Sequence, residues 1–90
     1  MHATFVRAPD VPTAEFGDEL AVMDLKSGAY IAFNRTAADI WKLLESPRSL
    51  EQLCETLERQ YRIDPERCRE DVEGLLRELE QMGVIHRRDG

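Results

Sequence analysis

The sequence predicts an α+β fold in which a three-stranded antiparallel sheet is followed by three helices. Residues up to about Asn34 form short apolar runs separated by turn residues, a pattern typical of strands. From Arg35 onward, apolar residues recur at helical spacing, and a capping residue precedes each run. Strands followed by helices favour packing of the helices on one face of the sheet. A chain of 90 residues is long enough for one small domain.

The sequence offers more than one position for the first strand. It is predicted near Val11 to Phe16, where Pro12 places it at an edge of the sheet because proline cannot donate to the ladder. The segment Ala3 to Arg7 is an alternative for this strand, or an additional one. Gly17-Asp18 then supplies a tight turn into the second strand.

The second and third strands form a predicted hairpin. Glu19 to Leu25 is short and apolar, and Ala29 to Phe33 follows after the loop Lys26-Ser27-Gly28. A three-residue loop that ends in glycine suits a hairpin that needs a residue in the left-handed region.

Capping residues predict where the first two helices begin. Asn34 or Thr36 can cap the first helix, which Ser46-Pro47-Arg48 ends. Ser49 with Gln52 three residues later forms a capping box for the second helix. The apolar stripe of the first helix is Ala37, Ile40, Trp41 and Leu44, and that of the second is Leu50, Leu53, Cys54, Leu57 and Tyr61.

Asp64-Pro65 predicts the start of the third helix, with aspartate as the cap and proline in the first turn. Gly83 predicts its end. Val84-Ile85 is expected to enter the core, and His86 to Gly90 to fray. The apolar stripe is Cys68, Val72, Leu75, Leu76, Leu79 and Met82.

Composition and charge exclude several classes of function. The net charge of −6 repels phosphate backbones, so nucleic acid is not an expected partner. No apolar run approaches the roughly 20 residues that span a bilayer. Met1 to Asp10 lacks the continuous apolar segment of a secretory signal, which makes the cytoplasm the expected location.

The residues give no catalytic or metal-binding constellation. Cys54 and Cys68 fall on apolar helix stripes and are expected to be buried free thiols. There is no C-x-x-C pair, and His2 and His86 lie at opposite ends of the chain, so no zinc-ligand spacing can be assembled. No glycine-rich phosphate loop occurs either. The sequence therefore predicts a protein that is not an enzyme and holds no cofactor.

The third strand is the most informative feature for function. It would lie at a sheet edge, and edges invite pairing by other chains unless charge, proline or another segment protects them. Pro12 and Glu15 protect the first strand, whereas Ala29 to Phe33 contains neither charge nor proline. Either another part of the chain, such as the N-terminal arm, covers this edge, or the edge receives a peptide as an added strand.

Hydrogen bonds to such an edge are too few to bind a peptide alone, so an apolar groove beside the strand is needed. The third helix is the candidate wall, since its adjacent residues Leu75 and Leu76 widen the apolar stripe by about 100°. One side of this stripe can contact the core while the other lines a cleft. The alternative is that all of the stripe is core. Trp41 is expected to be a core residue, and Tyr30 either covers the sheet or packs under a peptide.

The chain resembles the PqqD-like family of recognition elements for ribosomally made, post-translationally modified peptides. The resemblance rests on Leu20 to Trp41, which includes Gly28-x-Tyr30, Phe33-Asn34-x-Thr36 and Ile40-Trp41. It continues from Asp71-Val72 to Gly83-Val84-Ile85 and covers about residues 11–85. The order and spacing of these motifs carry the resemblance, rather than any one of them.

The resemblance implies a winged-helix-like fold and a single peptide-recognition domain over residues 1–90. It also implies that a leader peptide adds as a strand beside the third strand, in a groove walled by the third helix. As a free-standing version without a fused maturase, the chain is most similar to the B1 proteins of lasso-peptide biosynthesis. The resemblance implies that its partners are a precursor peptide and a separate leader peptidase of the cysteine-protease type. The peptide-binding residues implied are Ala29, Tyr30, Ile31, Ala32, Phe33, Val72, Leu75, Leu76 and Leu79.

Three alternatives differ in function. A free-standing partner of a radical-SAM maturase would bind a peptide in the same way. A winged-helix DNA-binding regulator would share the fold but should carry a basic recognition helix, and the third helix is acidic overall. A small enzyme would show turnover by the isolated chain.

Overall fold

Two small antiparallel sheets and three helices make up the computed structural model of the protein, which describes residues 3–89. This confirms the predicted α+β, winged-helix-like class with its three-stranded antiparallel sheet and three helices. In chain order the elements are β1 (Thr4–Arg7), β2 (Thr13–Phe16), β3 (Glu19–Met23), β4 (Tyr30–Phe33), α1 (Arg35–Leu43), β5 (Arg48–Ser49), α2 (Leu50–Tyr61), α3 (Pro65–Gln81) and β6 (Ile85–Arg88).

The predicted meander forms the sheet with strand order β2-β3-β4. Each strand lies within its predicted range and is slightly shorter. The turns between the strands depend on glycine, since Gly17 and Gly28 adopt φ of 65° and 80°, where other residues are strained. The central strand β3 buries Leu20 and Val22 and therefore fixes which face of the sheet contacts the core.

The second sheet, with order β5-β1-β6, was not predicted. The alternative segment Ala3 to Arg7 is an additional strand, β1, rather than the first strand of the meander. Ile85 enters the core as predicted, but the prediction of a frayed C-terminus is wrong for His86 to Arg88, because Ile85–Arg88 pairs along the whole of β1 as β6. Gly90 lies outside the described residues. Phe5 and Ile85 are both buried, so apolar burial holds the two ends of the chain together, and the core extends beyond the predicted residues 11–85.

The helices begin where their capping residues predict. Asn34, rather than the alternative Thr36, caps α1, and its side chain accepts a hydrogen bond from the N–H of Ala37. Ser49 and Gln52 form the predicted capping box of α2. The Asp64 side chain caps α3. No helix in residues 3–89 has the length and apolar character needed to cross a membrane.

The core lies between α1, α2, α3 and the inner faces of both sheets. Trp41 is buried, as predicted, and its ring makes an edge-to-face contact with Phe33 at a centroid distance of 6.1 Å. The cation of Arg7 lies over the Trp41 ring, 5.2 Å from its centre. Trp41 therefore joins β4 to the N-terminal arm through the core rather than offering a binding surface.

Candidate functional site

The outer edge of β4 has no strand partner within residues 3–89. β4 pairs with β3 alone, and the N-terminal arm, which could have covered this edge, instead pairs with β5 and β6. Of the two sequence interpretations, coverage by the arm is therefore wrong for the described chain. The edge also carries no proline and no charged side chain from Tyr30 to Phe33, so nothing in the strand itself opposes pairing.

The antiparallel register determines which backbone groups of β4 face this free edge. At the base of the hairpin, the N–H of Asp24 donates to the carbonyl of Ala29 at 2.8 Å. Hydrogen-bonded and non-hydrogen-bonded pairs alternate along an antiparallel ladder, so Ile31 also bonds to β3. Tyr30 and Ala32 therefore direct their N–H and C=O groups outward, where a further strand could bond to them.

The side chains of β4 alternate between the two faces of the sheet. Ile31 and Phe33 lie on the face that contacts the core, opposite Val22 and Leu20 of β3. Ile31 is nevertheless 41% exposed, as befits its position in a strand at the edge of the sheet. Tyr30 is 51% exposed and lies on the outer face. An added strand would thus find apolar surface on both faces.

The apolar residues of α3 divide between the core and the surface near β4. Val72, Leu76 and Leu79 are 2%, 3% and 0% exposed, so their side chains belong mainly to the core. Leu75 is partly exposed and lines a cavity of about 220 Å³ together with Asp71 and Val72 of the same helix. Leu76 lines a different depression, beside Phe5 and β6. Among the predicted residues of α3, Leu75 is therefore the one most available at the surface.

We call the space between β4 and the Leu75 face of α3 the β4–α3 groove. Contacts between residues mark both of its ends. At one end the N–H of Leu25, just after β3, donates to the carbonyl of Met82 at 3.0 Å. At the other end the 220 Å³ cavity joins Asn34, just after β4, to Asp71 and Leu75. These two contacts lie beyond opposite ends of β4, and the groove is defined as the space between them. Sequence reasoning did not identify Leu25, Asn34, Asp71 or Met82 as parts of this site.

A known protein family matches most of this chain. Residues 19–85 match the family described as coenzyme PQQ synthesis protein D (PqqD). The chain belongs to the PqqD family. The match contains β3, β4 and α3, and so it includes both walls of the β4–α3 groove, and it confirms the resemblance drawn from the sequence.

Two solved structures are similar to this PqqD family member. One is TbiB1 in complex with the TbiA(beta) leader peptide, with a TM-score of 0.77 and 23% identity over 90% of this chain and 94% of that one. The other is lasso peptide synthetase B1 complexed with the leader peptide, with a TM-score of 0.76 and 24% identity over 91% of this chain and 96% of that one. At such identities the likeness concerns the fold. No curated protein matches the chain.

Away from the groove, α2 and α3 bring the two cysteines of this PqqD family member together. Cys54 and Cys68 are free and buried, as predicted. Their sulfur atoms and a carboxylate oxygen of Glu58 lie within 4.8 Å of one another, a grouping that the sequence spacing did not reveal. Burial raises the pKa of Cys54 from 9.0 to about 12 and also raises the pKa of Cys68. Both thiols are therefore protonated at neutral pH, which leaves them poor nucleophiles.

Proposed function

We propose that residues 1–90 act in the cytoplasm as a single peptide-recognition domain that performs no chemistry itself. The domain binds the leader region of a ribosomally made precursor peptide as an additional strand on β4. The observation that carries this proposal is the unpaired edge of β4, with a cavity lined by Leu75 of α3 at the Asn34 end of the strand. Membership of the PqqD family supports it.

Main-chain hydrogen bonds alone would bind such a peptide weakly. Tyr30 and Ala32 offer an N–H and a C=O each, and these four groups contribute about 2–6 kcal/mol at ~0.5–1.5 kcal/mol per bond. Micromolar binding needs about 8 kcal/mol after ordering costs. Burial of apolar surface must provide the remainder, and the exposed parts of Ile31, Tyr30 and Leu75 supply that surface.

The proposed roles divide the predicted binding residues into four groups. Tyr30 and Ala32 bind through their backbone, and Ile31 and Leu75 contact the side chains of the peptide. Ala29 and Phe33 define the two ends of the edge. The buried residues that support the groove from the core are Val72, Leu76 and Leu79.

We also propose that the domain delivers the bound peptide to a separate processing enzyme. Both fold neighbours are described in complex with leader peptides, one of them as a lasso peptide synthetase B1. A leader peptidase of the cysteine-protease type is therefore the proposed partner. The family description, which concerns synthesis of coenzyme PQQ, favours a radical-SAM maturase as the second candidate. Leader cleavage and maturase turnover, each measured with and without this chain, separate the two.

Selection of peptides from a random display library tests the binding proposal without knowledge of the natural precursor. Peptides of about 15 residues are long enough to cover β4, which spans ~13 Å at ~3.3 Å per residue. We expect wild-type protein to enrich a family of related peptides, and a variant with a proline on the outward side of β4 to lose them. Enrichment of no peptide, or of the same peptides by both proteins, would contradict strand addition.

A further inference from the structure

The face of α3 that borders the β4–α3 groove carries one carboxylate before Leu75 and one after it along the helix axis. At about 100° per residue, Asp71 and Glu78 lie about 40° and 60° round the helix from Leu75. Leu79 and Leu76 lie about 40° and 100° round in the opposite direction, toward the core. Both acidic side chains are exposed, and Asp71 lines the cavity at the end of the groove. The stripe Asp71, Leu75, Glu78 and Met82 thus faces the space where a peptide would lie.

The other elements around the groove do not neutralise these carboxylates. β4 has no charged residue from Tyr30 to Phe33. Arg67 lies 3.9 Å from Asp71, but both side chains are mostly exposed, and such pairs contribute little. Within residues 3–89, Glu78 makes no ion pair.

Charged residues also lie near the two ends of the groove, with Asp24 and Lys26 at one end and Arg35 at the other. The Asp24 carboxylate accepts hydrogen bonds from the β3–β4 loop, which includes the N–H of Lys26. Arg35 lies beside Tyr61, whose hydroxyl donates to Asp39. Arg35 and Lys26 are thus at opposite ends of β4, and the middle of the α3 wall is acidic.

The axial spacing of this stripe is comparable to that of one face of a β-strand that runs along the helix. Asp71 is about 6 Å and Glu78 about 4.5 Å along the helix axis from Leu75, at ~1.5 Å per residue. Residues on one face of a strand recur every second position, about 6.6–6.8 Å apart. A strand residue that packs on Leu75 would thus have its neighbours on the same face close to Asp71 and Glu78.

We infer that the peptide added to β4 carries lysine or arginine two residues to either side of an apolar residue that packs on Leu75. The two cations pair with Asp71 and Glu78, and the long aliphatic stems of lysine and arginine cover the apolar groove between them. This inference rests on the proposed peptide binding and adds the charge pattern of the peptide. It makes Asp71 and Glu78 residues that determine specificity.

The test compares peptides selected from the random library by three forms of the protein. The first is wild type and the second is Asp71→Asn with Glu78→Gln. The third, Glu70→Gln with Glu80→Gln, removes two charges from the same helix but at positions about 140° from Leu75 on either side. Both double variants change the net charge equally, so a difference between them reports local contact. We expect the basic-x-apolar-x-basic pattern in the pools from wild type and from the Glu70/Glu80 variant, and its loss in the Asp71/Glu78 variant.

Binding of one selected peptide, measured by fluorescence anisotropy, supplies the magnitude. At low salt we expect the Asp71/Glu78 variant to bind about 2- to 10-fold more weakly, as for partly exposed ion pairs. The difference should shrink toward 1 M salt, where the screening length is about 3 Å. The Glu70/Glu80 variant should bind like wild type.

The outcomes separate this inference from the proposed function. If the selected peptides lose binding when β4 carries an outward proline, but show no basic-x-apolar-x-basic pattern, the charge inference alone is overturned. Equal weakening in both double variants also overturns it, because net charge would then be the cause. A pool that is insensitive to proline in β4, or the absence of any enriched peptide, overturns the proposed function and the inference together.

Discussion

Replacement of Ala32 by proline separates the outward edge of β4 from the fold itself. The N–H of Ala32 faces the free edge, so its loss removes no hydrogen bond within the sheet. The residue is exposed, which leaves room for the proline ring on the side away from β3. Ile31, one position earlier, directs its N–H toward Val22, which is fully buried. Proline at these adjacent positions should therefore have opposite consequences.

The loss of binding in Ala32→Pro follows from one missing donor. The variant removes one hydrogen bond and leaves a carbonyl of the peptide facing a proline ring, a cost of about 1–3 kcal/mol. This corresponds to binding that is about 5- to 150-fold weaker. The stability of the protein should fall by less than about 1 kcal/mol, a decrease of at most ~4–8 °C in Tm for a chain of this size.

Ile31→Pro should instead damage the fold. It breaks the bond to β3 and leaves the carbonyl of Val22 unpaired inside the sheet, at a cost of about 1–3 kcal/mol. Loss of the isoleucine side chain adds to this destabilisation. We therefore expect a clearly lower Tm than in Ala32→Pro.

Two measurements check this pair of variants. Thermal unfolding followed by circular dichroism gives the change in stability, and fluorescence anisotropy with a peptide selected by wild-type protein gives the affinity. Strand addition to β4 is refuted when Ala32→Pro is folded and binds within about two-fold of wild type, a difference of only ~0.4 kcal/mol. A smaller loss of stability in Ile31→Pro than in Ala32→Pro would contradict the assigned register.

Further predictions concern the groove wall and the buried thiols. Leu75→Ala should weaken peptide binding while lowering the free energy of unfolding only slightly. Leu79→Ala should lower the free energy of unfolding by about 2–5 kcal/mol, because that side chain is fully buried. Urea unfolding measures the stability of both variants, and fluorescence anisotropy measures their peptide affinity. Cys54 should not react with a thiol reagent at pH 8 in the native protein and should react at once in denaturant, because burial raises its pKa to about 12; rapid native labelling would contradict the buried position. Since the raised pKa favours the protonated thiol of the folded state, the contribution of Cys54 to stability is present below about pH 9 and is lost as the pH rises from 9 to about 12. Urea unfolding at pH 8 and pH 11, compared between wild type and Cys54→Ala, measures this, and an equal pH dependence in both proteins would refute it.

The helices and the hairpin could be predicted from the sequence because their signals are local. Ser49 and Gln52 cap α2 across three residues, and Asp64 caps α3 through the N–H of Arg67. The left-handed conformation of Gly28 is likewise a property of a single turn. Such contacts join residues a few positions apart, so the order of residues is sufficient to indicate them.

The second sheet could not be predicted in the same way. β1 and β6 pair residues from opposite ends of the chain, such as Thr4 with Arg88. The short, charged segment His86 to Arg88 has no alternating apolar pattern that would indicate a strand. Burial of Phe5 and Ile85 in the shared core selects this pairing, and that selection depends on the assembled fold.

The sequence by itself determined the three helices, the β2-β3-β4 meander and the absence of charge and proline in the strand Tyr30 to Phe33, because capping, turns and periodicity act within a few residues. Only the tertiary structure decided that the N-terminal arm pairs elsewhere and leaves β4 open. It also decided that Leu75, rather than Leu76 or Leu79, is partly exposed and lines the cavity near Asn34. Both of these outcomes depend on which surfaces the packed helices and sheets bury against one another, and burial is a property of contacts between residues distant in sequence.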